Sequence, residues 1–218
     1  MATTTDILRN AERLIADAEL LFSQGSARSA ATLIVHALEQ MGEFVEALTL
    51  EKYPNAEVRM GLFNQPNRHA KRQDALVAHV LNFAIAQTAA SFYAEKYAHE
   101  HGAITDDGHY LDWFSRNSSL ALSEEQQQRW LQSPHLTTAH LLLHLARTGV
   151  LKGLREYGFY ENTDRAFSEN EVHHVLELAS QVRAILENPF VASEPPGMAG
   201  VNMPEGLTID EWKQRKGD

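Results

Sequence analysis

The 218-residue chain contains no cysteine and has a formal net charge of -10, with 44% hydrophobic residues. The lack of cysteine excludes a disulfide framework, thiolate metal ligation and a cysteine nucleophile. The acidic balance excludes a general nucleic-acid coat, whose affinity rests on Lys and Arg releasing counterions from phosphate. The apolar content is enough for one substantial core. No stretch approaches the run of about 20 apolar residues that spans a bilayer, and MATTTDILRN has neither the basic nor the apolar part of a secretion signal. A cytoplasmic protein with no membrane partner is expected.

In residues 6–22, Ile7, Leu8, Ala11, Leu14, Ile15, Ala18, Leu21 and Phe22 recur at three-four spacing, which predicts a helix capped by Asp6 and stopped by Gly25. A second helix starts near Ser26 and runs to Tyr53 and Pro54, with Ala30, Leu33, Ile34, Ala37, Leu38, Met41, Val45 and Leu48 as its stripe. The short link makes the two an antiparallel hairpin. After a connector containing Pro54, Asn55, Asn64 and Asn67, Pro66 sits in the first turn of a long helix that meets no other Pro or Gly before Gly102.

The segment HGAITDDGHYLDWFSRNSS reads as an ordered loop. Ser123 and Gln126 have capping-box spacing and open a short helix to about Gln132. Residues 136–157 keep a helical period across Gly149 and Gly153, with Gly158 as the stop. Ser168 and Glu171 form a second capping box, leading a helix to Glu187 that Pro189 ends. The remaining residues read as an extended tail with one turn at 209–214.

Period-two alternation is lacking, so the fold class is all-α, an up-down bundle of four to six helices. Residues 1–132 form the bundle proper, 133–189 a C-terminal helical pair packed on the same core, and 190–218 the tail.

The chemistry concentrates at the start of the long helix. At about 100° per residue, Arg68, Arg72 and His79 fall within roughly 40° of one another, with His69 one step aside and Lys71 pointing elsewhere. A guanidinium grips phosphate in a planar fork, and an imidazole titrates near neutrality and moves a proton. These are the two roles that metal-free cleavage of an RNA phosphodiester needs. Glu39 and Glu43 share a face of the second helix, and a Glu there can orient Arg72.

Metal ligation is the competing reading, because His36 and Glu39 are three apart and His140 and His144 four apart. A di-metal bundle needs a further Glu-x-x-His set, which the chain lacks. His140 and His144 lie among leucines and are expected in core or interface packing. No metal or cofactor is expected.

The stretch DAELLFSQGSARSAATLIVHALEQMGEF, followed by NRHAKRQ and then GHYLDW, resembles in order and spacing the AbiV-type abortive infection proteins of the HEPN superfamily over about residues 6–130. The family's Glu-Glu-x-Gly-Lys is Glu39-Gln40-Met41-Gly42-Glu43 here, an exchange of cation for anion at the last position that reverses a local salt bridge.

The resemblance implies a phage-defence protein on a HEPN helical bundle. It implies a homodimer and a metal-independent RNase in which the RNA 2′-hydroxyl attacks the adjacent phosphate. Arg72 and His79, with six residues between them, fit the Arg-x4-6-His motif, whereas the family's His-x-x-Lys-like segment centres on His69 and Lys71. The proton-transfer assignment is therefore open between His79 and His69.

In this reading Arg72, assisted by Arg68, holds the phosphate, Glu39 orients these groups, Lys71 binds substrate, and Tyr110 and Asp112 shape the rim. It requires Arg72 and a histidine to converge on a surface open to an anionic polymer. The alternative is a non-catalytic helical module that recognises a phage or partner protein.

Overall fold

The computed structural model describes residues 3–56, 58–64, 67–102, 109, 112, 113, 116, 124–160 and 166–187. Seven helices are named for these residues: α1 (Thr4–Ser23), α2 (Ala27–Lys52), α3 (Arg68–His101), α4 (Glu124–Leu131), α5 (Pro134–Arg147), α6 (Val150–Phe159) and α7 (Glu169–Leu186). Pro66, Ser123 and the tail, including its turn at 209–214, lie outside the described residues.

Local signals explain most of the helix ends. Thr3, not Asp6, is the N-cap of α1, and Asp6 is the third helical residue, which completes a capping box with Thr3. Gly25 takes φ 78° and its amide bonds Phe22, so α2 can turn back on α1 within a few residues. Asn67 caps α3 by accepting from the Ala70 amide. Ser168 and Glu171 form the capping box of α7 as expected.

The region 136–157 differs from its sequence reading. It is broken at Gly149, whose φ of 76° is left-handed and turns the chain between α5 and α6. Helical periodicity survived the break because α5 and α6 each bury an apolar stripe of their own, Leu136, Ala139, Leu142 and Ala146 on one, Leu151 and Leu154 on the other. Gly158, expected as the stop, lies inside α6. A Cβ there would come within 2.9 Å of the Thr32 Cβ, so this glycine lets α6 lie directly on α2.

Helix α2 is the centre of the bundle, packing against α1, α3, α6 and α7. It is accordingly buried nearly all round: Ala30, Ala31, Ile34, Val35, Ala37, Leu38, Met41 and Val45 are each at most 1% exposed. Gly42 sets its approach to α3. An added Cβ would sit 2.6 Å from the carbonyl carbon of Arg72, so backbone touches backbone at this crossing.

Arg28 fastens the other side. It donates to the carbonyls of Tyr157 and Tyr160 at the end of α6, and its guanidinium lies over the Tyr157 ring. Asp74, 3% exposed, accepts from the amides of Met60, Gly61 and Leu62 at 2.9–3.1 Å and so ties the connector to α3.

Helix α3 corrects one expectation. Its most apolar 18-residue window has a mean hydropathy of 1.4, so by length and composition alone it could cross a membrane. In the bundle 44% of that window is buried, and α3 packs on α2 and α5.

Candidate active site

The site is built around one carboxylate. Glu39 lies on the central helix and is 2% exposed, so its charge is out of water and needs partners. One oxygen, Oε2, bonds Nδ1 of His69 at 2.7 Å and faces Nδ1 of His36 at 4.0 Å. The other, Oε1, meets Nη1 of Arg155 at 3.5 Å. Three helices therefore converge: α2 gives Glu39 and His36, α3 gives His69, and α6 gives Arg155.

The sealed carboxylate holds one ring and faces another, and both rings are themselves open. The side chains of His69 and His36 are 49% and 52% exposed. An ionised carboxylate can only accept, so Nδ1 of His69 is the donor toward it, and in the uncharged tautomer with that proton the lone pair is on Nε2. Arg68 and Lys71, one turn or less away, are exposed and join no ion pair among the described residues. The site thus has an oriented imidazole with the Arg155 cation on the same carboxylate and the exposed Arg68 next to His69 in sequence, an arrangement that suits a phosphodiester.

Arg72 stands just inside. It is 7% exposed and forms an ion pair with Glu43. Glu43 also accepts from Gln40, which accepts from Asn10 of α1, so a polar chain runs from α1 through α2 to α3. The acid orienting Arg72 is thus Glu43, whereas Glu39 turns to His69. The anion at position 43 is matched by the arginine opposite.

His79 is placed differently. It is 4% exposed, and neither ring nitrogen has a hydrogen-bond partner among the described residues. Desolvation pulls its pKa from 6.5 down to about 4, so it is a neutral ring in the core at physiological pH. It lies ten residues beyond His69, roughly 15 Å along α3, and is not brought to the open surface.

Asp112 is exposed and pairs with Arg116. Its neighbour Trp113 packs on Tyr97, roughly 40 Å along α3 from His69 at helical rise, so within one chain Asp112 does not border the Glu39 cluster. Tyr110 lies outside the described residues. Among the described residues no three His, Asp or Glu side chains are grouped to hold a metal ion. His140 and His144 are exposed on α5, which removes the core half of the expectation of core or interface packing.

Two members of the cluster carried no catalytic role in the sequence reading. His36 was visible only by its three-residue spacing from Glu39. Arg155 had no motif and reaches Glu39 across 116 residues of chain.

The all-α bundle with its added C-terminal helices is of the HEPN type. The family model HEPN_AbiV, described as AbiV, matches residues 2–168, and the chain belongs to this family. No curated protein and no solved structure matches it. The match extends past residue 130, where the resemblance of motifs stops, takes in α5 and α6 with Arg155, and ends at the N-cap of α7. Membership associates the chain with phage defence and, in general terms, with HEPN ribonucleases.

Proposed function

We propose that this protein is a cytoplasmic abortive-infection effector that cleaves RNA without a metal, acting as a homodimer. The observation that carries the proposal is the buried Glu39 carboxylate holding the half-exposed His69 ring at 2.7 Å. In this reading His69 takes the proton from the RNA 2′-hydroxyl, Glu39 fixes its tautomer and orientation, and Arg68 and Arg155 neutralise the phosphate, whereas Lys71 points to the other side of the helix. Arg72, tied to Glu43, holds α3 in place beside them. His79, neutral and enclosed, takes no part in proton transfer.

Purified protein incubated with RNA in the presence of a chelator tests this. Wild type should leave 2′,3′-cyclic phosphate ends, and His69→Ala should lose at least about 10²-fold in rate with the fold intact. In cells, growth arrest should vanish with the same substitution at matched expression.

The second reading, a binding module for a phage or partner protein, draws on the enclosure of His79 and the engaged state of Arg72. Undiminished arrest by a folded His69→Ala protein would favour it and overturn the nuclease.

A further inference from the structure

The Glu39 carboxylate is shared by two imidazoles, and the cleavage just proposed needs two proton transfers. The 2′-hydroxyl must lose a proton as O2′ bonds to phosphorus, and the departing O5′ must gain one as the P–O5′ bond breaks. The products are a 2′,3′-cyclic phosphate and a 5′-hydroxyl, with no net change in protons. A single histidine doing both must be reset between the two positions, whereas two histidines divide the work.

We infer that His36 is the general acid of this site, giving its proton to O5′ while His69 acts as the base. The inference rests on the nuclease reading above and deepens it. His36 comes from the same helix as Glu39, one turn earlier, and its Nδ1 faces the same oxygen that holds His69. The two rings differ in how they are held. At 2.7 Å His69 is fixed by a hydrogen bond, as a base aimed at one hydroxyl should be. At 4.0 Å His36 is close enough to feel the carboxylate but makes no hydrogen bond to it, so the ring can turn and deliver a proton.

Among the described residues, the charged and titratable groups within ion-pair distance of this carboxylate are His36 itself, His69 from α3 and Arg155 from α6. With half of each imidazole in solvent, both can meet a substrate without the bundle opening. Both proton-transfer groups then lie in one chain, and Arg155 adds a cation from the C-terminal helices to the same place.

The experiment uses the full chain and two probes: a mixed-sequence single-stranded oligoribonucleotide, and the same strand with sulfur replacing the bridging 5′-oxygen at one phosphodiester. A thiolate leaves without a proton, so only the oxygen substrate needs the acid. His36→Gln should cleave the oxygen strand at least about 10²-fold more slowly than wild type, and should lose the fall in rate at high pH that a general acid imposes. On the sulfur strand it should match wild type.

His69→Gln should be slow on both strands, since the base is needed for either. His36 is half-exposed, so the variant should keep the wild-type melting temperature. His36→Gln at the wild-type rate on the oxygen strand, or equally slow on both strands, would overturn the assignment while leaving the nuclease reading standing. A wild type that cleaves neither strand would bring down both.

Discussion

Glu39 and His69 are thirty residues apart in sequence and 2.7 Å apart in space, and one is sealed while the other is half in solvent. A buried anion of this kind needs its partners, and an exposed ring needs something to hold it still. Glu39→Gln keeps an acceptor for the His69 Nδ1–H but removes the charge. We expect cleavage to fall about 10²-fold and stability to fall by only about 1 kcal/mol, because Arg155 and both histidines can reach water. Rates on RNA beside urea denaturation would check the two together.

Gly42 supplies a purely steric prediction. With the Arg72 carbonyl carbon 2.6 Å from where a Cβ would go, and both groups on helix backbone, neither side can turn away. Gly42→Ala must push α3 off α2 and should cost at least about 3 kcal/mol, at the upper end of overpacking changes. A shift in the urea midpoint larger than that of Gly25→Ala, where a Cβ meets open space but the backbone is left-handed, would identify the clash as the cause.

Asp74 holds the connector by three amide bonds, to Met60, Gly61 and Leu62. Asp74→Ala leaves those donors without their acceptor, at a cost of about 1–3 kcal/mol. The change should be local. Hydrogen exchange of these three amides should rise sharply while amides in the middle of α2 keep their protection.

His79 makes the fold sensitive to acid. The unfolded chain takes up a proton near pH 6.5, whereas the buried ring resists it until about pH 4. Its stability contribution is thus complete above pH 6.5 and declines as pH falls toward 4, by about 3 kcal/mol in all. Neither ring nitrogen has a partner to lose, so His79→Leu should flatten this decline. Denaturation midpoints of the two proteins should lie close together at pH 7.5 and separate in favour of the variant at pH 4.5.

Much of the bundle could be read from particular residues. The stripes of α1 and α2, Gly25 and the Ser168–Glu171 box each act through contacts within a few positions, and the family's motif order followed from α2 and the start of α3. The Gly149 break was missed because periodicity reports which residues are buried and says little about backbone φ. Gly158 was misread as a stop because a glycine required by a neighbouring helix looks the same in sequence as one required by a turn.

At the site, Glu39 and His69 were both named, but their pairing was not. The helical wheel grouped His79 with Arg72 correctly by angle. Angle alone cannot show that seven residues further along, the same face runs into the core. Arg155 had no signal at all, since what brings it to Glu39 is the docking of α6 by Arg28 and Gly158.

Contact of bare backbone at Gly42 makes position 72 a fulcrum. If α3 rocks as a rod on α2, its short arm carries His69 and its long arm carries His79, and the two swing in opposite senses. One missing methyl group therefore sets how near α2 lies to the helix that carries both His69 and His79.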